Sequence, residues 1–223
     1  MKIKNFQKMK TSSKFLPETA YFLGALRDGC FIENKNNYIY RIRIYQKNRR
    51  WIEKLSEIAE KLFNKKPLIN IDKRSGVWDL MINSKEIYNN IINISDFPGK
   101  QEKWNTPKLV LNNNIHVQKE YIKGFFDSEG GIPHVDKNYV EPKNIRIHFT
   151  QANKKCLEEL KTMIQKFDIK PGKICGPYYK KGYKSPIYRL HIHGIKQVKL
   201  FSEKIGSLHP EKQKRLFIVS KMK

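Results

Sequence analysis

The chain has 223 residues, with 45 lysine and arginine residues against 21 aspartate and glutamate residues, so its net charge is 45 − 21 = +24 at neutral pH. An excess of that size favours a polyanionic partner, and nucleic acid is the leading one. A hydrophobic content of 39% excludes a disordered basic tail, and no apolar run approaches the roughly 18 residues of a membrane span. Cys30, Cys156 and Cys175 lack the spacing of a disulfide framework or a zinc site, so we expect a reducing, cytoplasmic location with access to the nucleoid.

The chain contains two segments with the same order of features. Each starts with an apolar run that carries Tyr-x-x-Gly, at residues 21–24 and 121–124, and that predicts a helix. An alternating polar and apolar stretch follows at residues 38–46 and 144–151, with the period of a half-buried strand. Both stretches end in glutamine, and both lead through an asparagine and two basic residues into apolar positions at helical spacing.

Each segment continues into a second pair of extended runs divided by a turn. These runs lie at residues 68–71 and 77–82, and at residues 173–179 and 187–192. Each segment then closes with Pro-x-Lys-Gln, at residues 98–101 and 210–213. The repeat predicts a duplicated α+β unit. We place the first half at residues 1–103, a linker at 104–116 and the second half at 117–223.

Both predicted motif helices carry a glycine in mid-helix, Gly24 or Gly124, and end in an acid followed by glycine, at Asp28 and Glu129. Helices that cross at such glycines would bring their acidic ends side by side. A glycine after an acid can also be a simple helix C-cap. The second copy at the matching place favours a site, since an acid at the negative end of a helix dipole is unfavourable without a cation.

Residues 122–130, Ile-Lys-Gly-Phe-Phe-Asp-Ser-Glu-Gly, resemble the nine-residue motif of the LAGLIDADG homing endonucleases, in particular the single-chain archaeal type with two motifs. Residues 22–29 match with one residue fewer between the glycine and the acid. One residue of helix is a rotation of about 100°. Asp28 therefore either lies on a locally adjusted helix end or points partly away from Glu129. The resemblance extends from about residue 17 to residue 216.

The resemblance implies a monomer of two pseudo-symmetric αββαββα units, whose saddle-shaped antiparallel sheets straddle double-stranded DNA and whose motif helices form the interface. It also implies two or three divalent ions, Mg²⁺ by expectation, held by Asp28 and Glu129 with Gly29 and Ser128 as neighbouring ligands. Phosphodiester hydrolysis needs an activated water and charge compensation, which carboxylate-held metal supplies. The expected product is a staggered double-strand break at one long target site.

Gln46 and Gln151 occupy the position where the family keeps a polar residue that orients metal-bound water. The alternative is that they simply end edge strands. The Pro-x-Lys-Gln segments lie where the family places a lysine that stabilises phosphate charge. Lys103 and Lys212 are the leading candidates for this role, and Lys100 and Lys214 are further candidates. A solvated surface lysine is the alternative in each case.

Strand alternation indicates which side chains read DNA. Arg41 and Arg43 share one side of their strand, and Arg146 and His148 share one side of theirs, opposite isoleucines. A two-stranded ribbon fits the major groove, where arginine can bind guanine. The expected footprint also includes Lys47, Asp72, Lys73, Arg74, Asp79, Lys180, Lys181, Lys184 and Arg189. Phosphate contact without sequence reading is the alternative for the lysines. His191 and His193 are interpreted as a surface pair.

Three functions are compatible with these patterns. The leading hypothesis is a metal-dependent, site-specific DNA endonuclease of the homing type. The shortened first motif leaves open a cleavage-impaired DNA-binding protein or an intron RNA maturase of the same fold. A general nucleic-acid structural protein would explain the charge but not the paired acids.

Overall fold

The computed structural model describes residues 15–97, 99–132, 145–179, 182 and 185–222. The first half contains α1 (Leu16–Ala25), a 3₁₀ turn (Leu26–Asp28), β1 (Gly29–Asn34), β2 (Ile39–Gln46), α2 (Arg49–Phe63), β3 (Leu68–Asp72), β4 (Val77–Asn83) and α3 (Lys85–Ser95). A second 3₁₀ turn (Gln101–Lys103) and α4 (Lys108–Leu111) lead to the second half. That half contains α5 (Ile115–Glu129), β5 (Gly130–Gly131), β6 (Arg146–Gln151), α6 (Lys154–Gln165), β7 (Cys175–Tyr178), β8 (Ile187–His193), α7 (Ile195–Lys204) and α8 (Pro210–Ser220).

The α+β class with a repeated αββαββα order is confirmed. Each half forms a four-stranded antiparallel sheet, in the order β1-β2-β4-β3 and β5-β6-β8-β7. Helices cover one face of each sheet and bury the apolar side chains of its central strands. These are Ile42, Ile44, Leu80 and Ile82 in the first sheet, and Ile147, Phe149, Leu190 and Ile192 in the second. The alternate side chains lie on the opposite, polar face of each sheet.

The second helix of each half starts in the same way, because an asparagine side chain accepts a hydrogen bond from the first turn. Asn48 Oδ1 accepts from the Trp51 N–H at 3.0 Å, and Asn153 Oδ1 accepts from the Cys156 N–H at 3.2 Å. Asparagine is a preferred N-cap for this reason. Trp51 is fully buried, whereas Trp78 is half-buried beneath the Arg49 guanidinium.

The two motif helices, α1 and α5, touch backbone to backbone at their glycines. A Cβ added to Gly24 would lie 2.4 Å from Tyr121 O, and one added to Gly124 would lie 2.1 Å from Tyr21 O. Only glycine permits such an approach without moving a helix. The close crossing places the C-terminal ends of both helices at the same edge of the interface.

The segment expected as a linker is packed against both halves. Trp104 is buried and stacks on Phe97 with ring centroids 4.6 Å apart, and the Thr106 N–H donates to the Glu159 carboxylate at 3.0 Å. Within this segment lies α4, and α5 already begins at Ile115. In the described part of the chain, no helix combines the length and apolar character that crossing a membrane would require.

Candidate active site and nucleic-acid interface

The end of α1 tightens into a 3₁₀ turn over Leu26–Asp28. A 3₁₀ turn has three residues per turn, so each residue rotates by about 120° instead of about 100°. This local adjustment offsets part of the missing residue in the first motif. Asp28 lies at its end, where the Gln46 Nε2 donates to Asp28 Oδ2 at 3.1 Å. The carboxylate is thereby held by the last residue of β2.

Glu129 is the last residue of α5 and is half-buried. It lines a hollow together with the buried Gln151 at the end of β6. The same hollow is also lined by the segment that closes the first half, through Lys100, Gln101 and Glu102. Each acid thus has a strand-ending glutamine beside it, at the position that the sequence repeat predicts. The role of these glutamines in orienting water stays a prediction.

Both carboxylates have raised pKa values, and Asp28 contributes to the shift of Glu129. Burial raises the pKa of Asp28 to about 7, against the opposing positive charge of Lys212 and the hydrogen bond from Gln46. Burial and then the charge of Asp28 raise the pKa of Glu129 to about 8, against the charges of Lys212 and Arg27. A nearby like charge raises the pKa of an acid in this way. The charge of Asp28 therefore acts on Glu129 across the ends of the two motif helices.

Lys212, from α8, caps the carbonyl end of α5. Its Nζ donates to Phe126 O at 2.8 Å, Asp127 O at 2.7 Å and Gly130 O at 2.6 Å. Burial lowers the pKa of Lys212 to about 8, although Asp127, Asp28 and Glu129 oppose that shift. A cation at this end of a helix complements the dipole and supplies positive charge beside the acids.

The first motif uses a neutral cap at the equivalent place. Gln101 Nε2 donates to Arg27 O at 3.0 Å and to Gly29 O at 2.7 Å. The two acids are therefore not equivalent, since a lysine closes the helix that carries Glu129 and a glutamine closes the turn that carries Asp28.

Behind the acids, each motif places one buried charged side chain. Asp127 accepts from Tyr21 Oη at 2.7 Å, from the Leu208 N–H at 2.8 Å and from Ser207 Oγ. Arg27 is fully buried and donates to Trp104 O at 2.9 Å, to Asn105 O at 2.6 Å and to Tyr121 Oη at 2.8 Å. Each charge thus binds a tyrosine hydroxyl of the other half and a backbone segment that follows its own sheet.

The acid pair has the donor chemistry that a hard divalent cation requires. Carboxylates and carbonyl oxygens are the preferred ligands of Mg²⁺, Ca²⁺ and Mn²⁺. The raised pKa values of both acids show a carboxylate cluster that a bound cation would stabilise in its charged form. Across the described residues, no group of three or more His, Cys, Asp and Glu side chains is arranged to hold a metal. The fit therefore rests on two acids completed by phosphate and water oxygens.

Three expected site residues are positioned differently from the sequence interpretation. Lys103 is exposed and does not line the Glu129 hollow, which Lys100 reaches instead from the extended residue that precedes the 3₁₀ turn. Ser128 Oγ donates to Gly24 O and Phe125 O, so its hydroxyl serves the helix interface. The carbonyl of Gly29 accepts from Gln101.

On the polar face of the first sheet, Arg41, Arg43 and Asp79 line an open groove. The Arg43 Nε lies 3.1 Å from both carboxylate oxygens of the buried Asp79, and a further contact joins the guanidinium to Asp79 Oδ2. The Asp72 carboxylate closes the β3–β4 turn by accepting from the Arg74 N–H and Ser75 Oγ. Lys73 and Arg74 are exposed at that turn.

Lys47 lies apart from this face, in a basic hollow between the starts of α2 and α8. On the polar face of the second sheet, Arg146 and Arg189 are exposed and His148 is half-buried between them. The strand register adds His191 and His193 to that face, which the sequence interpretation treated as a separate surface pair. Lys180, Lys181 and Lys184 lie outside the described residues, as do Pro98, His134 and Asn144.

Sequence reasoning missed Arg27, Asp127 and Gln101. Asp127 lies within the quoted motif and Gln101 within the repeated Pro-x-Lys-Gln, so both signals were available. Their hydrogen-bond partners lie 72 to 106 residues away, which no local pattern reveals. Tyr21 and Tyr121 were recognised as a repeat, but the use of their hydroxyls across the interface required the tertiary structure.

Comparison with known proteins agrees with this architecture. A LAGLIDADG-like domain matches residues 116–206. The homing endonuclease I-ApeI of Aeropyrum pernix is 26% identical over 200 residues, covering 88% of this chain and 84% of that protein. The crystal structure of I-DmoI in complex with DNA and Mn superposes with a TM-score of 0.61 at 22% identity, covering 86% of this chain and 97% of that one. I-WcaI bound to its DNA recognition sequence superposes with a TM-score of 0.61 at 19% identity, covering 96% and 91%. The second half of the chain thus contains a LAGLIDADG-like domain, and the duplicated fold is similar to that of solved homing endonucleases.

Proposed function

We propose that the protein is a homing-type endonuclease that hydrolyses one phosphodiester bond in each strand of a long double-stranded DNA site, giving a staggered break. We further propose that it acts as a monomer and depends on Mg²⁺. The observation that carries the proposal is the pair of half-buried carboxylates, Asp28 and Glu129, at the C-terminal ends of the two crossing motif helices. A protein that only bound DNA would have no use for repelling acids at that place.

Asp28 and Glu129 would hold two or three divalent ions, which when bound activate water and compensate charge on the attacking and leaving oxygens. Gln46 orients Asp28 and stands beside one half-site, and Gln151 stands beside Glu129. Lys212 adds positive charge near both acids while it fixes the end of α5. In each half-site a water oxygen forms a bond to phosphorus as the bond to the leaving sugar oxygen breaks.

The polar sheet faces supply DNA binding. Arg41 and Arg43 in the first half, and Arg146 and Arg189 in the second, are assigned to base edges or phosphates of the flanking duplex. Asp79 fixes Arg43 in one orientation, which suits directional hydrogen bonding more than a mobile phosphate contact. A chain of charge +24 should bind DNA with a steep salt dependence, because each neutralised phosphate releases counterions.

The test compares supercoiled plasmids that carry candidate intron-insertion sites, incubated with wild type, Glu129→Gln or Asp28→Asn in Mg²⁺ and in EDTA. We expect linear product from the wild type in Mg²⁺ alone, and nicked circles as the most advanced product of each variant. Glu120→Gln, on the same helix and paired with Lys123, is the matched control and should cut like the wild type.

DNA binding measured by gel shift in EDTA separates the competing functions. Retained binding with no cutting by the wild type, at any site and in any of Mg²⁺, Mn²⁺ or Ca²⁺, would favour the cleavage-impaired DNA-binding protein. Linearisation by both acid variants would contradict the assignment of the active site.

A further inference from the structure

The polar face of the second sheet carries a row of imidazoles. His148 on β6 pairs with His191 on β8, and their ring centroids are 6.2 Å apart. His193 lies two residues further along β8 on the same face, with its ring centroid 5.3 Å from that of His191. We call these three side chains the histidine cluster.

Two glycines provide the space in which the cluster lies. Gly131 pairs with His148, and a Cβ at Gly131 would lie only 2.3 Å from the His148 ring. On the opposite side, the Gly172 N–H donates to His191 O at 2.8 Å, and a Cβ at Gly172 would be 3.7 Å from the His193 ring. A side chain at residue 131 would therefore collide with the His148 ring, whereas one at residue 172 would only touch the His193 ring.

The charged groups that face the cluster are all basic. Arg189 shares β8 with His191 and His193, Arg146 comes from β6, and Lys212 acts on His148 from α8. Within the described part of the chain, no hydrogen bond or ion pair joins the histidine cluster, Arg146 or Arg189 to a carboxylate. The first sheet differs, because Asp79 neutralises Arg43 on the corresponding face.

This environment disfavours the charged forms of His148 and His191 in the free protein. Burial, followed by the charges of His193, Arg146, His148 and Arg189, lowers the pKa of His191 to about 4. Burial and the two arginines also lower the pKa of His148. The Nδ1 of His191 is buried without a hydrogen-bond partner in the described structure. Among the described residues, the histidine cluster does not form a three-ligand metal site.

We propose that the histidine cluster is a DNA-contacting surface of the second half, and that its contact with DNA is coupled to proton uptake. A neutral imidazole offers one N–H donor, whereas the imidazolium offers two, both suited to phosphate oxygens or to guanine O6 and N7. DNA phosphates that bind this face place negative charge beside the imidazoles and so raise their pKa values. The protein therefore takes up protons when it binds DNA. This proposal rests on the proposed function, since it presumes that the polar sheet faces bind DNA.

The experiment measures the dissociation constant of a 30-base-pair duplex of mixed sequence, in EDTA, between pH 5.5 and 8. For wild type we expect affinity to rise as the pH falls, by up to about tenfold per pH unit for each proton taken up. Calorimetry in two buffers of different ionisation enthalpy gives the number of protons directly and requires no variant. Since Asp28 and Glu129 also titrate in this range, variants are needed to locate the uptake.

The double variant His191→Asn/His193→Asn removes two of the three imidazoles of the cluster while keeping polar side chains. We expect it to lose at least half of the pH-dependent gain in affinity, measured for each protein relative to its own affinity at pH 8. His116→Asn, an exposed histidine at the start of α5, is the matched control and should behave as wild type. No proton uptake by wild type, or an unchanged pH slope in the double variant, would overturn the proposal alone. Failure of wild type to bind DNA at any pH would overturn the proposed function with it.

Discussion

The two motif ends share one crossing but differ in nearly every side chain that secures them. In the second half a buried acid, Asp127, binds the hydroxyl of Tyr21, and the lysine cap of Lys212 closes the helix. In the first half a buried base, Arg27, binds the hydroxyl of Tyr121, and the neutral Gln101 closes the turn. The tyrosine hydroxyl can donate or accept, so the same residue serves both polarities.

The difference shows what the duplicated scaffold holds fixed and what it leaves free. Backbone contact at Gly24 and Gly124 leaves no room for variation, since any Cβ would overlap a carbonyl. The buried charge behind each acid can reverse its sign, provided that every donor meets an acceptor. The shortened first motif uses this freedom, because the 3₁₀ turn aims Arg27 at the Trp104 and Asn105 carbonyls while Asp28 stays beside Gln46.

The buried charges give the largest expected effect. Arg27→Met should lower the free energy of unfolding by about 3–4 kcal/mol, because it leaves the Asn105 carbonyl and the Tyr121 hydroxyl without their donor. Asp127→Leu should cost a similar amount, since Tyr21, Ser207 and Leu208 lose their acceptor. Urea unfolding measures both variants. A loss of less than about 1 kcal/mol of unfolding free energy in Arg27→Met would show that Arg27 and Asp127 do not stabilise the two halves to a similar extent.

Gly124→Ala should cost about 2–3 kcal/mol, because overpacking at a backbone contact forces the helices apart. Gly172→Ala is the matched control, since the nearest heavy atom to its Cβ would be 3.5 Å away, and it should change stability by less than about 1 kcal/mol. Thermal unfolding compares the two. Equal melting temperatures would show that the crossing yields more readily than the contact distances indicate.

The paired acids should weaken the fold when they are charged. The folded-state pKa values of Asp28 and Glu129 lie above their ordinary values, so their contribution to stability falls as the pH rises from about 4 to about 8. Glu129→Gln should therefore raise the free energy of unfolding at pH 8 in EDTA by about 2 kcal/mol. The gain should vanish near pH 4, where the acid is protonated in both states. A variant less stable than wild type at pH 8 would contradict this origin of the raised pKa values.

The smallest effect is expected where the caps are made alike. Lys212→Gln gives the second motif the neutral cap of the first and should cost about 1 kcal/mol, since the amide can satisfy fewer carbonyls than the ammonium. It should also slow plasmid cleavage, and the cost in activation free energy should exceed the loss in free energy of unfolding, because the variant removes positive charge from beside both acids. Parallel measurement of urea unfolding and plasmid cutting separates the two effects. Wild-type cutting by this variant would mean that Lys212 is a helix cap alone.

The sequence by itself determined the duplicated unit, the strand and helix periods and the acids of both motifs. These features repeat at short range, so alternation, helical spacing and glycine placement are legible without any partner. The alternation of polar and apolar residues likewise predicts the strand faces, with Arg41 and Arg43 on one side of their strand and Arg146 and His148 on one side of theirs.

The tertiary structure alone decided how those residues are used. The position of Asp28 beside Gln46 depends on a 3₁₀ adjustment that propensity does not reveal. That Lys100 and not Lys103 lines the Glu129 hollow depends on how the closing segment folds back. The bond between Tyr21 and Asp127 joins residues 106 positions apart, and the histidine cluster forms only when β6 and β8 pair in register. Such long-range contacts are fixed by packing and by the need to pair buried polar groups, neither of which leaves a periodic trace in the chain.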